Sequence, residues 1–271
     1  MADLIDAATL HSRNAEPGLV LLDIRYTPGQ ADGKARYLAG HIPGALYVDL
    51  PTQLANPHAK GQGNNPLPTA EQLQRTLQGL GIHPHSEIVV YDDSNMGPAA
   101  RAWWVLRWAG LQRVALLDGG LKAWQRAGGP LAQDDVQPQA GATVQVATGA
   151  LTQLSAEQLL DNPAIGTLLD VRPAANFHTD QAGNGGHIPG ALSLPAGQLL
   201  DEHGQLLGPD ALKAQLEALG RDLNAPIGAY CGSGVAASLL VFTAERAGLQ
   251  AALYPGSWSH WASDASRPVE A

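Results

Sequence analysis

A single cysteine, Cys231, stands between a short apolar stretch, Pro226 to Tyr230, and a segment whose apolar residues Val235, Leu239, Leu240 and Phe242 recur at helical spacing. The glycine-bearing piece between them, Gly232, Ser233, Gly234, Val235 and Ala236, predicts a tight loop leading from a strand into a helix. Glycines at 232 and 234 let the backbone curl so that successive N–H groups converge on one spot, and the helix N-terminus adds partial positive charge there. A thiol in such a cradle is biased toward thiolate, the form that attacks electrophiles. The alternative is a small core residue, which most free cysteines are.

Two arginines could supply fixed positive charge. Arg172 follows the apolar run Leu168 to Val171, and Arg101 opens a helical segment that also carries Trp103 and Trp104. Strands alternate with helices along the chain, which predicts parallel α/β architecture, and ligands of such domains gather at strand C-termini. Cys231 and Arg172 both lie at such ends. A nucleophile and a cation on one rim suit an anionic substrate.

The elements that must position these residues come in two copies. Leu21-Leu22-Asp23-Ile24-Arg25 returns as Leu168-Leu169-Asp170-Val171-Arg172, and Gly40-His41-Ile42-Pro43-Gly44-Ala45-Leu46 returns letter for letter from Gly186 to Leu192. Leu73 to Leu80 is matched by Leu212 to Leu219, and Gly119 to Trp124 by Gly256 to Trp261. Units of this size indicate duplication of a domain rather than a solenoid. Aligning the strand ends puts Asp92 where the second half has Cys231, and a carboxylate cannot serve as a sulfur nucleophile. The first half has the scaffold without the chemistry. His41, in a turn present in both halves, reads first as a hydrogen-bonding strut.

The finer reading predicts a helix over Leu4 to His11, a strand over Leu19 to Ile24, a polar loop over 26–40 and a short strand over Ala45 to Val48. An extended surface connection runs from Pro51 to Pro68. Thr69-Ala70-Glu71-Gln72 then caps a helix to Leu80, and Ile88 to Tyr91 forms a buried strand. Residues 130–150 turn polar and rich in Gly and Pro, marking a linker between domains at 1–129 and 151–271. In the second domain Ser155 to Gln158 caps a helix to Leu160, and Phe177 and His178 enter a glycine-rich loop at 183–186.

The chain has 271 residues, 45% of them hydrophobic, and a net charge of −9. That length favours two domains of about 130 residues, each with its own core. The negative balance, without a long acidic run, argues against nucleic acid or an anionic membrane as partner, so an anionic substrate needs locally placed arginines. One cysteine excludes an internal disulfide and a Cys-rich zinc site. With no signal-like start and no stretch of membrane-spanning length, cytoplasmic residence is the default expectation.

Taken together, the paired Asp-x-Arg and Gly-His-Ile-Pro-Gly-Ala units, Ala100-Arg101-Ala102-Trp103-Trp104, Asp118 to Trp124 and the Cys-Gly-Ser-Gly-Val loop resemble the two-domain rhodanese superfamily, over roughly residues 4–269. The loop after the cysteine is of the mercaptopyruvate type rather than the basic or bulky type of rhodaneses proper. The resemblance implies a tandem α/β fold, each domain a mainly parallel sheet flanked by helices. It implies ping-pong chemistry in which Cys231 takes a sulfane sulfur from 3-mercaptopyruvate as a persulfide and passes it to cyanide, a thiol or thioredoxin, without metal or cofactor. The N–H groups of residues 232–236 would hold the anionic sulfur and Ser233 would bond or relay a proton beside it. Arg172 and Arg101 would recognise the donor's carboxylate, with His41 facing the same cleft.

Two positions depart from the family pattern. Asn176 stands where a second arginine is usual, and Ala236 where threonine is. Losing one arginine removes a charge-assisted contact worth about 1.5–3 kcal/mol, which keeps thiosulfate or another donor as the alternative. A Cys-based phosphatase would need an arginine six residues after Cys231, where Ala237 stands. A non-enzymatic persulfide carrier is the remaining rival.

Overall fold

The computed structural model describes residues 3–138, 142–160, 166–178 and 185–271. In the first half the chain runs β1 (Asp3–Ile5), α1 (Ala7–Arg13), β2 (Leu19–Asp23), α2 (Gly33–Ala39), β3 (Leu46–Tyr47), α3 (Leu50–Gln53), α4 (Ala70–Gly79), β4 (Glu87–Tyr91), α5 (Gly97–Trp108), β5 (Val114–Leu117) and α6 (Gly120–Arg126). The second half continues with α7 (Ala156–Leu160), β6 (Thr167–Asp170), α8 (Ala174–Phe177), β7 (Leu192–Ser193), α9 (Pro209–Ala218), β8 (Ile227–Tyr230), α10 (Ala236–Arg246), β9 (Ala251–Leu253) and α11 (Ser257–Trp261).

The first sheet has the order β1-β5-β4-β2-β3 and the second β7-β6-β8-β9, with every strand pairing parallel. The central strands β4 and β8 are buried, as their short apolar runs require. At the edge where the first sheet carries β1, the second has a single parallel bridge from Gln153 to Leu253. Each central strand ends in one of the two matched loops: Asp92 comes directly after β4, and Cys231 directly after β8.

Local chemistry explains several element ends. Thr69 and Gln72 form a reciprocal capping box, the Thr69 hydroxyl accepting the Gln72 N–H and the Gln72 side chain accepting the Thr69 N–H at 2.9 Å. The helix expected from Leu4 starts instead at Ala7, because Asp3–Ile5 pair with β5 and Asp6 caps α1, accepting the Thr9 N–H at 2.8 Å. The stretch 26–40, expected as loop, contains α2. The connection expected to be extended from Pro51 begins inside α3, whose N-terminal proline lacks only a donor that a first turn leaves unpaired. The loop expected at 183–186 lies partly outside the described residues.

Each half keeps a buried cluster of its own, around Leu10 and Trp124 in the first and Phe177 and Trp261 in the second, and a third cluster joins the halves. Every residue of α5 except Arg107 is buried, because a helix apolar on all sides has no face to give to water. It packs against α10, with Trp103 edge-on to Phe242 at 4.9 Å between ring centroids. The largest cluster of buried residues therefore runs from Leu22 and Val90 through α5 and α10 to Leu253. Among the described residues no helix is long and apolar enough to cross a membrane.

Candidate active site

Cys231 is the first residue beyond β8, and its side of the interface between the halves opens into a cavity of about 440 Å³. The first half lines this space with Tyr26, Pro28, Ser94 and Pro98, and the second with Arg172, Pro173, Asn176, Ser233 and Val235. Cys231 is only 4% exposed, so its sulfur meets the cavity and little else of the solvent. The residue is held from behind: its N–H donates to Ser257 Oγ at 3.1 Å, and its carbonyl accepts the Trp258 N–H at 2.9 Å.

Ser257 is a site residue that the sequence reading misses. It is fully buried and donates its own hydroxyl to the Tyr254 carbonyl at 2.9 Å. Its φ of 54° lies in the left-handed region that favours glycine. The matched residue of the first half, Gly120, has φ 56°. The signal is present in the repeat, where Gly119-Gly120 faces Gly256-Ser257, but nothing local ties that serine to a cysteine 26 residues earlier.

The loop leaves a set of donors free. The N–H groups of residues 232–236 have no acceptor among the described residues, and no hydrogen bond to the Cys231 sulfur is formed among them. Ser233 lines the cavity beside the cysteine, again without a bonded partner among the described residues. In the first half two of the five corresponding N–H groups are engaged: the Asp92 carboxylate accepts from those of Ser94 (2.8 Å) and Met96 (3.2 Å), and further on from the Ala99 N–H (3.0 Å) and the Ser94 hydroxyl (3.0 Å). Burial holds the Asp92 carboxyl above the usual carboxylate range, against the smaller downward pull of these bonds.

Arg172 lines the cavity, though most of its guanidinium is already committed. Nε bonds both Asp170 oxygens at 3.0 and 2.9 Å, and Nη2 donates to Asp170 at 2.5 Å and to the Gly186 carbonyl at 2.6 Å. Its Cζ lies 4.4 Å from the centroid of the Trp258 ring. Nη1 has no partner among the described residues. Arg25 is held in the same way by Asp23 and the Gly40 carbonyl, but its Nη1 reaches Asp93 at 3.2 Å. The position matching Asp93 in the second half is Gly232. Asn176, where the family pattern has an arginine, also faces the cavity.

Two expected contacts with substrate are corrected. His41 does not face the cleft: it is fully buried, stacked on Tyr37 at 3.9 Å, bonded through Nδ1 to the Tyr37 carbonyl at 2.9 Å and placed 3.4 Å from Asp134. Its copy His187 is stacked the same way on Phe177 at 3.7 Å. Both fasten the turn of their half to the segment that crosses it. Arg101 is fully buried as well and does not line the cavity, because Nη1 and Nη2 are turned to the carbonyls of Gly234 (3.3 Å) and Asn65 (2.9 Å).

The model of the rhodanese-like domain matches residues 6–127 and again 152–264. The chain belongs to the rhodanese family. Over 98% of its length it is 42% identical to a Mycobacterium tuberculosis protein called "Putative thiosulfate sulfurtransferase SseB", covering 96% of that protein. It is 34% identical over 94% of its length to 3-mercaptopyruvate sulfurtransferase of Escherichia coli K12, covering 93% of it. The crystal structure of the 3-mercaptopyruvate sulfurtransferase SseA from Escherichia coli superposes with a TM-score of 0.84 at 31% identity, covering 96% of this chain and all of that one. The protein is thus a sulfurtransferase built of two rhodanese domains, each a parallel sheet flanked by helices. Within it only the second rhodanese domain carries a thiol, and the first carries Asp92 at the same place.

Proposed function

We propose that Cys231 carries sulfur from 3-mercaptopyruvate to a thiophilic acceptor. The observation that supports this reading is a thiol lining the same cavity as Arg172, whose Nη1, like the N–H groups of residues 232–236, has no partner among the described residues. The thiolate attacks the donor's sulfur, the carbon–sulfur bond breaks, and its electron pair leaves as the enolate of pyruvate, which takes up a proton. The N–H groups of residues 232–236 hold the charge on the persulfide sulfur, and Ser233 is placed to pass the proton. An acceptor then attacks the outer sulfur. The sulfur–sulfur bond breaks, and the Cys231 thiolate is restored as thiocyanate forms from cyanide or a persulfide from a thiol or thioredoxin.

Charge supports the choice of donor. Beyond Arg172 the cavity walls are largely apolar, with Tyr26, Pro28, Pro98, Val171 and Val235, which suits a monoanion with a carbon skeleton better than a dianion. Thiosulfate is the second reading, favoured by the 42% identity to a protein bearing that name. A lone thiol nucleophile also calls for a compartment that keeps thiols reduced, which favours the cytoplasm.

The deciding measurement is kcat/KM for the two donors, with cyanide and a dithiol as acceptors. A preference for 3-mercaptopyruvate of about tenfold or more is expected, the worth of one well-made charged contact. A preference for thiosulfate would overturn the donor and leave the reaction class. Transfer from neither would overturn both.

A further inference from the structure

We propose that Arg101 is a positioning residue for sulfur transfer: reaching across from the first half, it fixes the peptide that aims the Val235 N–H at the sulfur and sets a positive charge behind Cys231, without touching the donor. The inference rests on the sulfur-transfer reading and assigns it a residue outside the cavity.

Arg101 Nη1 donates to the Gly234 carbonyl, and the Ser238 hydroxyl donates to the same oxygen at 3.0 Å. That carbonyl belongs to the peptide whose N–H is that of Val235, and in a trans peptide the two groups point in opposite directions. Gripping the oxygen therefore aims the N–H. In the first half the N–H of Met96, at the matched sequence position, bonds the Asp92 carboxylate at 3.2 Å, although the left-handed residue of that loop stands one place later. Gly234 has φ +76°, and a Cβ built there would lie 2.3 Å from the Pro255 carbonyl oxygen and 3.1 Å from Arg101 Nη1. The loop is clamped between those two groups.

The charge of Arg101 points the same way. Arg25 and Arg172 are buried against Asp23 and Asp170, but Arg101 bonds only neutral carbonyls, forms no ion pair among the described residues, and leaves Nε without a partner. A guanidinium so placed remains protonated near neutral pH: burial pushes it down only to about 10, and the attraction of Cys231, followed by Tyr26, opposes that fall. A buried cation lacking a fixed counter-charge is costly, and here the charge that answers it is the one the sulfur carries during turnover. The matched position of α10 is Leu240, so the second half has no such cation of its own.

The test uses the full chain with Arg101→Met and Arg101→Lys, each checked by circular dichroism and thermal melting. Two readouts are taken: the rate at which iodoacetamide alkylates Cys231, the chain's one cysteine, at pH 7 without substrate, and kcat and KM for each donor. For Arg101→Met, alkylation and kcat are both expected to fall about tenfold or more while KM stays within about twofold, with Arg101→Lys between it and the parent. If Arg101→Met does not fold, Arg101→Lys decides alone, because it keeps the charge but cannot fork to both carbonyls, and about threefold slower alkylation at unchanged KM is expected of it. Parent-like alkylation with a raised KM would make Arg101 a donor contact and overturn the proposal, as would parent values throughout. Alkylation needs no sulfur transfer, so a parent enzyme inactive with both donors would sink the proposed function while leaving this readout to judge Arg101.

Discussion

The loops at 92–99 and 231–238 are built on one plan and differ in where their charge is answered. In the first, Asp92 takes three backbone N–H groups and the Ser94 hydroxyl, and Asp93 takes Arg25 Nη1 at 3.2 Å and Arg36 Nη1 at 2.5 Å. The two carboxylates are thus answered by groups of their own half, although Asp93 Oδ1 is left without a hydrogen-bond partner, so the loop is a structural plug. In the second, cysteine and glycine stand at those two places, and the donors of residues 232–236 and of Arg172 Nη1 have no acceptor among the described residues. Two side chains thus mark the difference between a filled loop and one whose sulfur faces a cavity. The backbone is not identical either: the left-handed residue is Met96 in the first loop and Gly234, one place earlier by alignment, in the second.

The strongest break in the comparison is Cys231→Ser, which makes the second loop as unreactive as the first. Sulfur transfer should fall by about four orders of magnitude or more, the scale on which removal of a nucleophile acts, while circular dichroism and the melting temperature stay near those of the parent. Turnover at the parent rate would remove Cys231 from the mechanism. A smaller effect is expected where the backbones diverge. Gly234→Ala forces a side chain into the left-handed region and against Pro255, and should cost about 3 kcal/mol or more in urea unfolding. Asn95→Ala, at the matched place, should stay within about 0.5 kcal/mol. Equal costs would mean the two loops are held alike.

Much of this is legible in the residues. Repeated letters locate both loops, the glycines locate the turn, and the capping sequences locate α4 and α7. What escapes depends on partners distant in the chain. The repeated turn reads His41 as a strut, which its stack on Tyr37 and its bond to the Tyr37 carbonyl agree with, and only the resemblance puts it in the cleft. Arg101 reads as a substrate contact because its acceptor, the Gly234 carbonyl, lies 133 residues away. Arg172 is placed on the right rim, but a sequence cannot show that Asp170 and Gly186 already engage two of its three nitrogens. The helix α2 escapes because seven residues carry too little periodicity to stand out from a polar stretch.

Gly232→Asp sharpens the comparison most directly, because it moves the first loop's own plug into the second. A Cβ at position 232 meets nothing within 4 Å, so the aspartate can be housed without strain. Its carboxylate would then stand to Arg172 Nη1 as Asp93 stands to Arg25 Nη1, and the donor would have to displace it. A charge-assisted bond worth about 1.5–3 kcal/mol corresponds to a rise in KM of about ten- to a hundredfold for an anionic donor. The melting temperature should hold or rise, since the new pair is internal. Gly232→Asn, of nearly the same size without the charge, should move KM much less. An unchanged KM in the aspartate variant would show that the donor's anionic group does not lie on Arg172, and that the resemblance between the two loops stops short of the substrate.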